Sequence, residues 1–232
     1  MSALKIRIIR LIIVLGLLLS FSIATAQNRT VVELKFGTFL DEGTAEQDVF
    51  VMGVEGLAFR VSPHALANSL DDPLCGLAHT AEFVYDPYML SPNPVGPYDI
   101  GVPLDLTLEE WLAASGEGTY TVEEGQAAID VKFTGLVPDG AYSLWCSTTT
   151  LTPDFDVTYQ PCGAPNSSES VFTADEHGQL SIQMAFPEMP PSTETQVSAL
   201  ALVWHPFSQT YDADSVSFGT LMFRQLHAVL GV

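Results

Sequence analysis

His205 ends an apolar run in VSALALVWHPFSQTYDAD, and Tyr211, Asp212 and Asp214 follow within nine residues. If the last two strands pair as a hairpin, His227 lies on the neighbouring strand. Two imidazoles and a carboxylate are a donor set for Zn²⁺ or Cu²⁺, so the metal expectation is His205, His227 and Asp212. The competing expectation carries no cofactor. There His205 hydrogen-bonds backbone at a strand end, and His227 is a half-buried strand residue. Glu176-His177-Gly178 reads as a hairpin turn. Asp154-x-Asp156 and Asp212-x-Asp214 offer the hard oxygen ligands that Ca²⁺ takes, yet neither has EF-hand spacing, and solvated loop acids are the plainer reading. Gly-x-Ser-x-Gly, His-Glu-x-x-His, Cys-x-x-Cys and a phosphate-cradling glycine loop are all missing from the sequence. A triad assembled in space leaves no such signature. No catalytic residue is assigned, and the chain is expected to be non-catalytic.

The three cysteines are Cys75, Cys146 and Cys162. A bridge between Cys146 and Cys162 closes a short loop and stabilises by about 3 kcal/mol on the chain-entropy model. Cys75 is then left over; the rival pairing joins Cys75 to Cys162 and buries Cys146 as a thiol. Such a bridge requires an oxidising compartment, and the N-terminus points to one. Lys5, Arg7 and Arg10 precede an almost wholly apolar run from Leu11 to Ile23, and Ala24-Thr25-Ala26 has the small residues of a cleavage site. Residues 1–26 are read as a secretory signal, and the mature chain as secreted, extracellular or periplasmic, with no membrane span of its own. Five basic residues then face all 28 acids, a formal charge of −23. Such a field repels nucleic acid and anionic membrane surfaces and attracts cations.

The elements that must position these groups are mostly strands. VVELKF, VFVMGV, LAFRV and AEFVY carry branched and aromatic residues in short runs broken by Gly, Asp and Pro. Prolines at 87, 92, 94, 97 and 103 mark a loop or linker. Residues 27–105 are therefore read as an N-terminal β-rich region ending in a Pro-rich linker (87–103), and residues 106–232 as a β-sandwich domain. Whether 27–105 folds apart or lends strands to the same sandwich stays open. One short helix is expected near 108–114. Thr107 and Glu110 have capping-box spacing, Leu108, Trp111 and Leu112 share a face, and Gly116 stops the turn. Beyond Thr119 the period is 2. Ile129, Val131 and Phe133 alternate with polar neighbours, as do Leu180, Ile182, Met184 and Phe186. VSALALVW is apolar on both faces, which suits a central strand. About seven strands are expected here, all antiparallel, the complement of a sandwich. Trp145 falls on the outer face of its strand; with Phe155 and Tyr159 in the following loop it is either a sugar-stacking platform or a ring under that loop.

In GLVPDGAYSLWC, Leu136, Pro138, Gly140 and Tyr142 lie between a strand ending at Phe133 and one containing Leu144 and Cys146. Pro138 presets a turn and Asp139-Gly140 tolerates its tight part. This stretch resembles the E–F corner of fibronectin type III and related immunoglobulin-like domains, although Asp139 separates the proline from the glycine. The resemblance implies an immunoglobulin-like β-sandwich and a tyrosine corner of Leu136, Pro138 and Tyr142, whose hydroxyl bonds backbone near the turn. It implies no function. Gly140-x-Tyr142-x-x-x-Cys146 also resembles the copper-binding strand of cupredoxins. The resemblance implies Cys146 as a copper thiolate, but no histidine stands between Cys146 and Cys162 to supply the imidazoles. The functional expectation is an exported binding or adhesion protein whose partner is an extracellular glycan or an envelope protein.

Overall fold

The computed structural model describes residues 29–38, 49–61, 70–77, 101–152, 155–163, 168–205 and 223–231. The signal segment, AEFVY, Asp212 and most of the Pro-rich stretch lie outside them. The protein is all-β, with antiparallel pairing throughout the named strands. The first sheet contains β1 (Thr30–Phe36), β6 (Ser115–Glu123), β7 (Gln126–Thr134) and β11 (Leu180–Pro187), in the order β1-β6-β7-β11. The second has β8 (Ala141–Thr150), β12 (Gln196–His205) and β13 (Phe223–Val229) side by side. The outer edge of β8 is shared by β9 (Asp156–Pro161) and β10 (Val171–Thr173). A third sheet runs β3-β2-β4-β5, from Ala58–Arg60, Phe50–Met52, Pro73–Leu77 and Gly101–Thr107 respectively.

β7 shows why alternation is a dependable signal. Ala127, Ile129, Val131 and Phe133 are buried, and every residue between them is exposed. It turns into β6 through Glu124 and Gly125, both at positive φ (52° and 78°), the two-residue hairpin geometry that matches strand twist. β12 is buried from Leu200 to His205 because β8 and β13 flank it and both its faces are covered. β1 hydrogen-bonds β6 along its full length, so at least this part of the N-terminal region is built into the same sheet as the C-terminal strands. At its end, Gly37 exchanges both backbone bonds with His227 of β13, at 3.0 Å each. That clasp ties the first sheet to the second. Side chains from all three sheets merge into one hydrophobic cluster, with Phe36 edge-on to Phe133 at 4.9 Å between centroids. Each fully buried large apolar side chain contributes about 1.5–3 kcal/mol.

The helix α1 (Leu108–Leu112) carries the full capping box: the Thr107 hydroxyl accepts the Glu110 N–H, and the Glu110 carboxylate accepts the Thr107 N–H at 2.7 Å. Two further N–H groups of its first turn reach the Asp72 and Leu70 carbonyls. Leu108 and Trp111 are buried, and the Trp111 ring lies 5.5 Å from that of Trp204. Three local expectations are corrected. The helix ends at Leu112 with Ala113 as its cap, whereas Gly116 sits inside β6, where a side chain would collide with the Phe133 ring. Gly101 to Pro103 belong to β5, an edge strand that tolerates a proline, rather than to a linker. Tyr159 lies on β9, not in a loop.

Candidate functional site

The chain crosses from the first sheet to the second through residues 136–140, and a single phenol braces the crossing. The Tyr142 hydroxyl accepts the Val137 N–H at 2.8 Å and donates to Gln225 Oε1 at 2.8 Å. Gln225 Nε2 in turn donates to the Trp111 carbonyl at 3.0 Å. Gln225 is available for this because the β12–β13 register shifts between Leu202 and Val203, leaving it as the extra residue of a bulge. Burial pushes the Tyr142 phenol far above its usual range, against the opposing Val137 N–H bond. Leu136 is buried beside it, and its carbonyl would meet any side chain at Gly178, whose φ is +69°. The turn at residues 174–179 thus stacks on the corner, its Asp175 carboxylate accepting the Gln179 and His177 N–H groups. His177 stays exposed on this turn.

On the opposite face of β8, Trp145 Nε1 donates to Ser143 Oγ at 2.7 Å, and Ser143 Oγ lies 2.7 Å from Nε2 of His205. With one serine lone pair used by the indole, the hydroxyl keeps its proton and a second lone pair for Nε2, and the imidazole tautomer sets which atom donates. A serine touching a histidine is also the arrangement that activates a nucleophile. Here Trp145 and Ser143 are fully buried and His205 is 1% exposed. Trp145 packs with Ala201, Val203 and Tyr159, so it is a core ring and offers no platform to a sugar. The strand pairing brings Ser143 and His205 together across 62 residues. The sequence does hold a hint: each is a polar residue in phase with the buried alternate positions of an apolar strand.

The two expected histidine ligands stand apart on the strand ladder. His227 stands opposite Ala201, four residues from His205 along β12, or roughly 13 Å at strand rise. Among the described residues, no three His, Cys, Asp or Glu side chains are grouped to hold a metal ion. Asp212, His64 and His79 lie outside those residues. Cys146 and Cys162 form a disulfide with a Cα–Cα separation of 5.1 Å, which removes the thiolate a cupredoxin-like copper site needs. Cys75 is the free cysteine, buried in β4, and burial pushes its thiol up to about 11.

Two cavities flank the segment 186–191 at the end of β11. One, of about 90 Å³, is floored by the disulfide with Thr148, Thr158 and Gln160. The other, of about 280 Å³, opens between Val32, Tyr120, Val122, Met189 and Leu230. Glu188 and Met189 border both. The Met189 N–H donates to the Tyr120 hydroxyl at 3.1 Å. Burial raises the Tyr120 phenol above its usual range; the Met189 bond opposes this and the Glu188 charge adds to it.

Fold and site together define a disulfide-bonded, antiparallel all-β protein with small cavities at one sheet end and no described helix long and apolar enough to cross a membrane. The chain matches no known family model and no curated protein.

Proposed function

We propose that the protein is an exported, non-catalytic β-sandwich of immunoglobulin-like plan that binds an extracellular glycan or an envelope protein. The strand order supports the sandwich. In that plan strands A, B and E share one sheet and C, F and G the other. Counting from β6, the strands β6, β7 and β11 share one sheet, and β8, β12 and β13 the other. On this reading the tyrosine-braced turn lies where the second strand passes to the third, rather than between E and F. The signal-like N-terminus and the disulfide support export.

The observation that carries the non-catalytic reading is the sealed state of the Ser143–His205 contact, closed over by Trp145. The test is a glycan array and a panel of isolated envelope fractions probed with purified protein. Saturable retention, competed by unlabelled protein, is expected on at least one; retention on none overturns the binding role. Covalent labelling of Ser143 by a fluorophosphonate would overturn the non-catalytic reading. The alternative, a Cu, Zn or Ca protein, requires near-stoichiometric metal in native material; if His205 is a ligand, that metal is lost in His205→Ala.

A further inference from the structure

We propose that the 280 Å³ cavity between β1, β6 and the end of β13 is a binding site for a small organic cation with an apolar body. Its size is just below the range of small-molecule sites. Val32 and Val122 are inward-facing side chains of paired strands, at positions two residues apart in the β1–β6 register. They continue the core outward, and Met189 and Leu230 close the far side. An apolar group entering here therefore meets packed hydrocarbon on several sides.

The polar groups at the opening are selective in sign. Among the described residues lining the cavity, Glu188 carries the charge and none is a lysine or arginine. The Tyr120 oxygen accepts from the Met189 N–H, which leaves it its own proton and one lone pair, and both residues line the cavity. Glu188 is close enough to raise the Tyr120 phenol, which sets carboxylate and hydroxyl within one electrostatic neighbourhood. An ammonium or amidinium head satisfies that pair. A carboxylate or phosphate head would face Glu188 with no described cation in the lining to neutralise it. The excess of 28 acids over eight basic residues in the whole chain draws in the same class of solute.

The inference does not depend on the envelope-binding role and fails or stands separately. Its test is methyl NMR of the purified protein titrated with three matched probes: 2-phenylethylammonium, 2-phenylethanol and 3-phenylpropanoate. The methyl resonances of Val32, Val122, Met189 and Leu230 are expected to move with all three, with the ammonium binding about threefold tighter than the alcohol and the carboxylate weakest. Glu188→Gln, an exposed substitution that leaves the packing alone, should abolish the preference for the cation while the alcohol binds as before. The advantage of the ammonium should also shrink at about 0.5 M salt, where surface charges are screened. Methyl resonances that stay still in excess probe, a carboxylate that binds as tightly as the ammonium, or a cation preference that survives Glu188→Gln would each overturn the proposal.

Discussion

A Tyr142→Phe substitution takes one oxygen out of the core and leaves two partners facing each other across the gap. The Val137 N–H loses its acceptor and Gln225 Oε1 loses its donor. Leaving buried groups unsatisfied costs about 1–3 kcal/mol. In a chain of this size that lowers Tm by roughly 2–4 °C per kcal/mol, which thermal denaturation followed by circular dichroism measures. The double variant Tyr142→Phe/Gln225→Leu should cost less than the two single changes added together, because the pair shares one interaction. Half of this arrangement is legible in the sequence. Pro138, Gly140 and Tyr142 are close neighbours whose spacing dictates a turn and an inward ring. Gln225 lies 83 residues away and reaches the phenol through a register shift, which no local pattern announces. The Ser143–His205 pair is hidden for the same reason, since it exists only once β8 and β12 are laid side by side.

At the scale of elements, two exposed carboxylates tie local structure to pH. The Thr107 N–H and hydroxyl hold Glu110 below the usual carboxylate range, and the Gln179 and His177 N–H groups do the same for Asp175. A carboxyl lowered in the folded state adds stability that is fully present above its unfolded value of about 4. That stability drains away as pH falls through the lower folded value. Tm should therefore drop as pH falls below about 4. The drop should be shallower in Glu110→Gln/Asp175→Asn, which no longer titrates at either site; a differential scanning fluorimetry series in pH reads both slopes. The capping box and β7 follow directly from the sequence because each is governed by neighbours a few residues off. β9 does not. DVTYQP carries only weak alternation, and it becomes a strand because the disulfide and the β8 edge hold it in place.

For the whole molecule, the covalent link between Cys146 and Cys162 restrains the unfolded chain as well as holding β9 against β8. Its loop of about 15 residues predicts a loss of about 3 kcal/mol when it is removed. Cys146→Ser/Cys162→Ser should lower the urea midpoint, and it should release β9 first, seen as faster amide exchange in Asp156–Pro161 than in β12. Composition and periodicity suffice to identify an all-β chain. They do not reveal that β1 pairs with β6, nor that β5 joins a third sheet with β2, β3 and β4, because strand partnership is a long-range property with no local signature.

The bond pair between Gly37 and His227 brings opposite ends of the described chain to one seam, and Thr30 and Gly231 wall the same small cavity. A short flexible peptide could therefore splice Gly231 to Thr30, with fresh termini cut between Glu124 and Gly125. Such a rewired polypeptide should retain the native far-UV spectrum, since only an exposed hairpin tip is severed and every sheet keeps its neighbours.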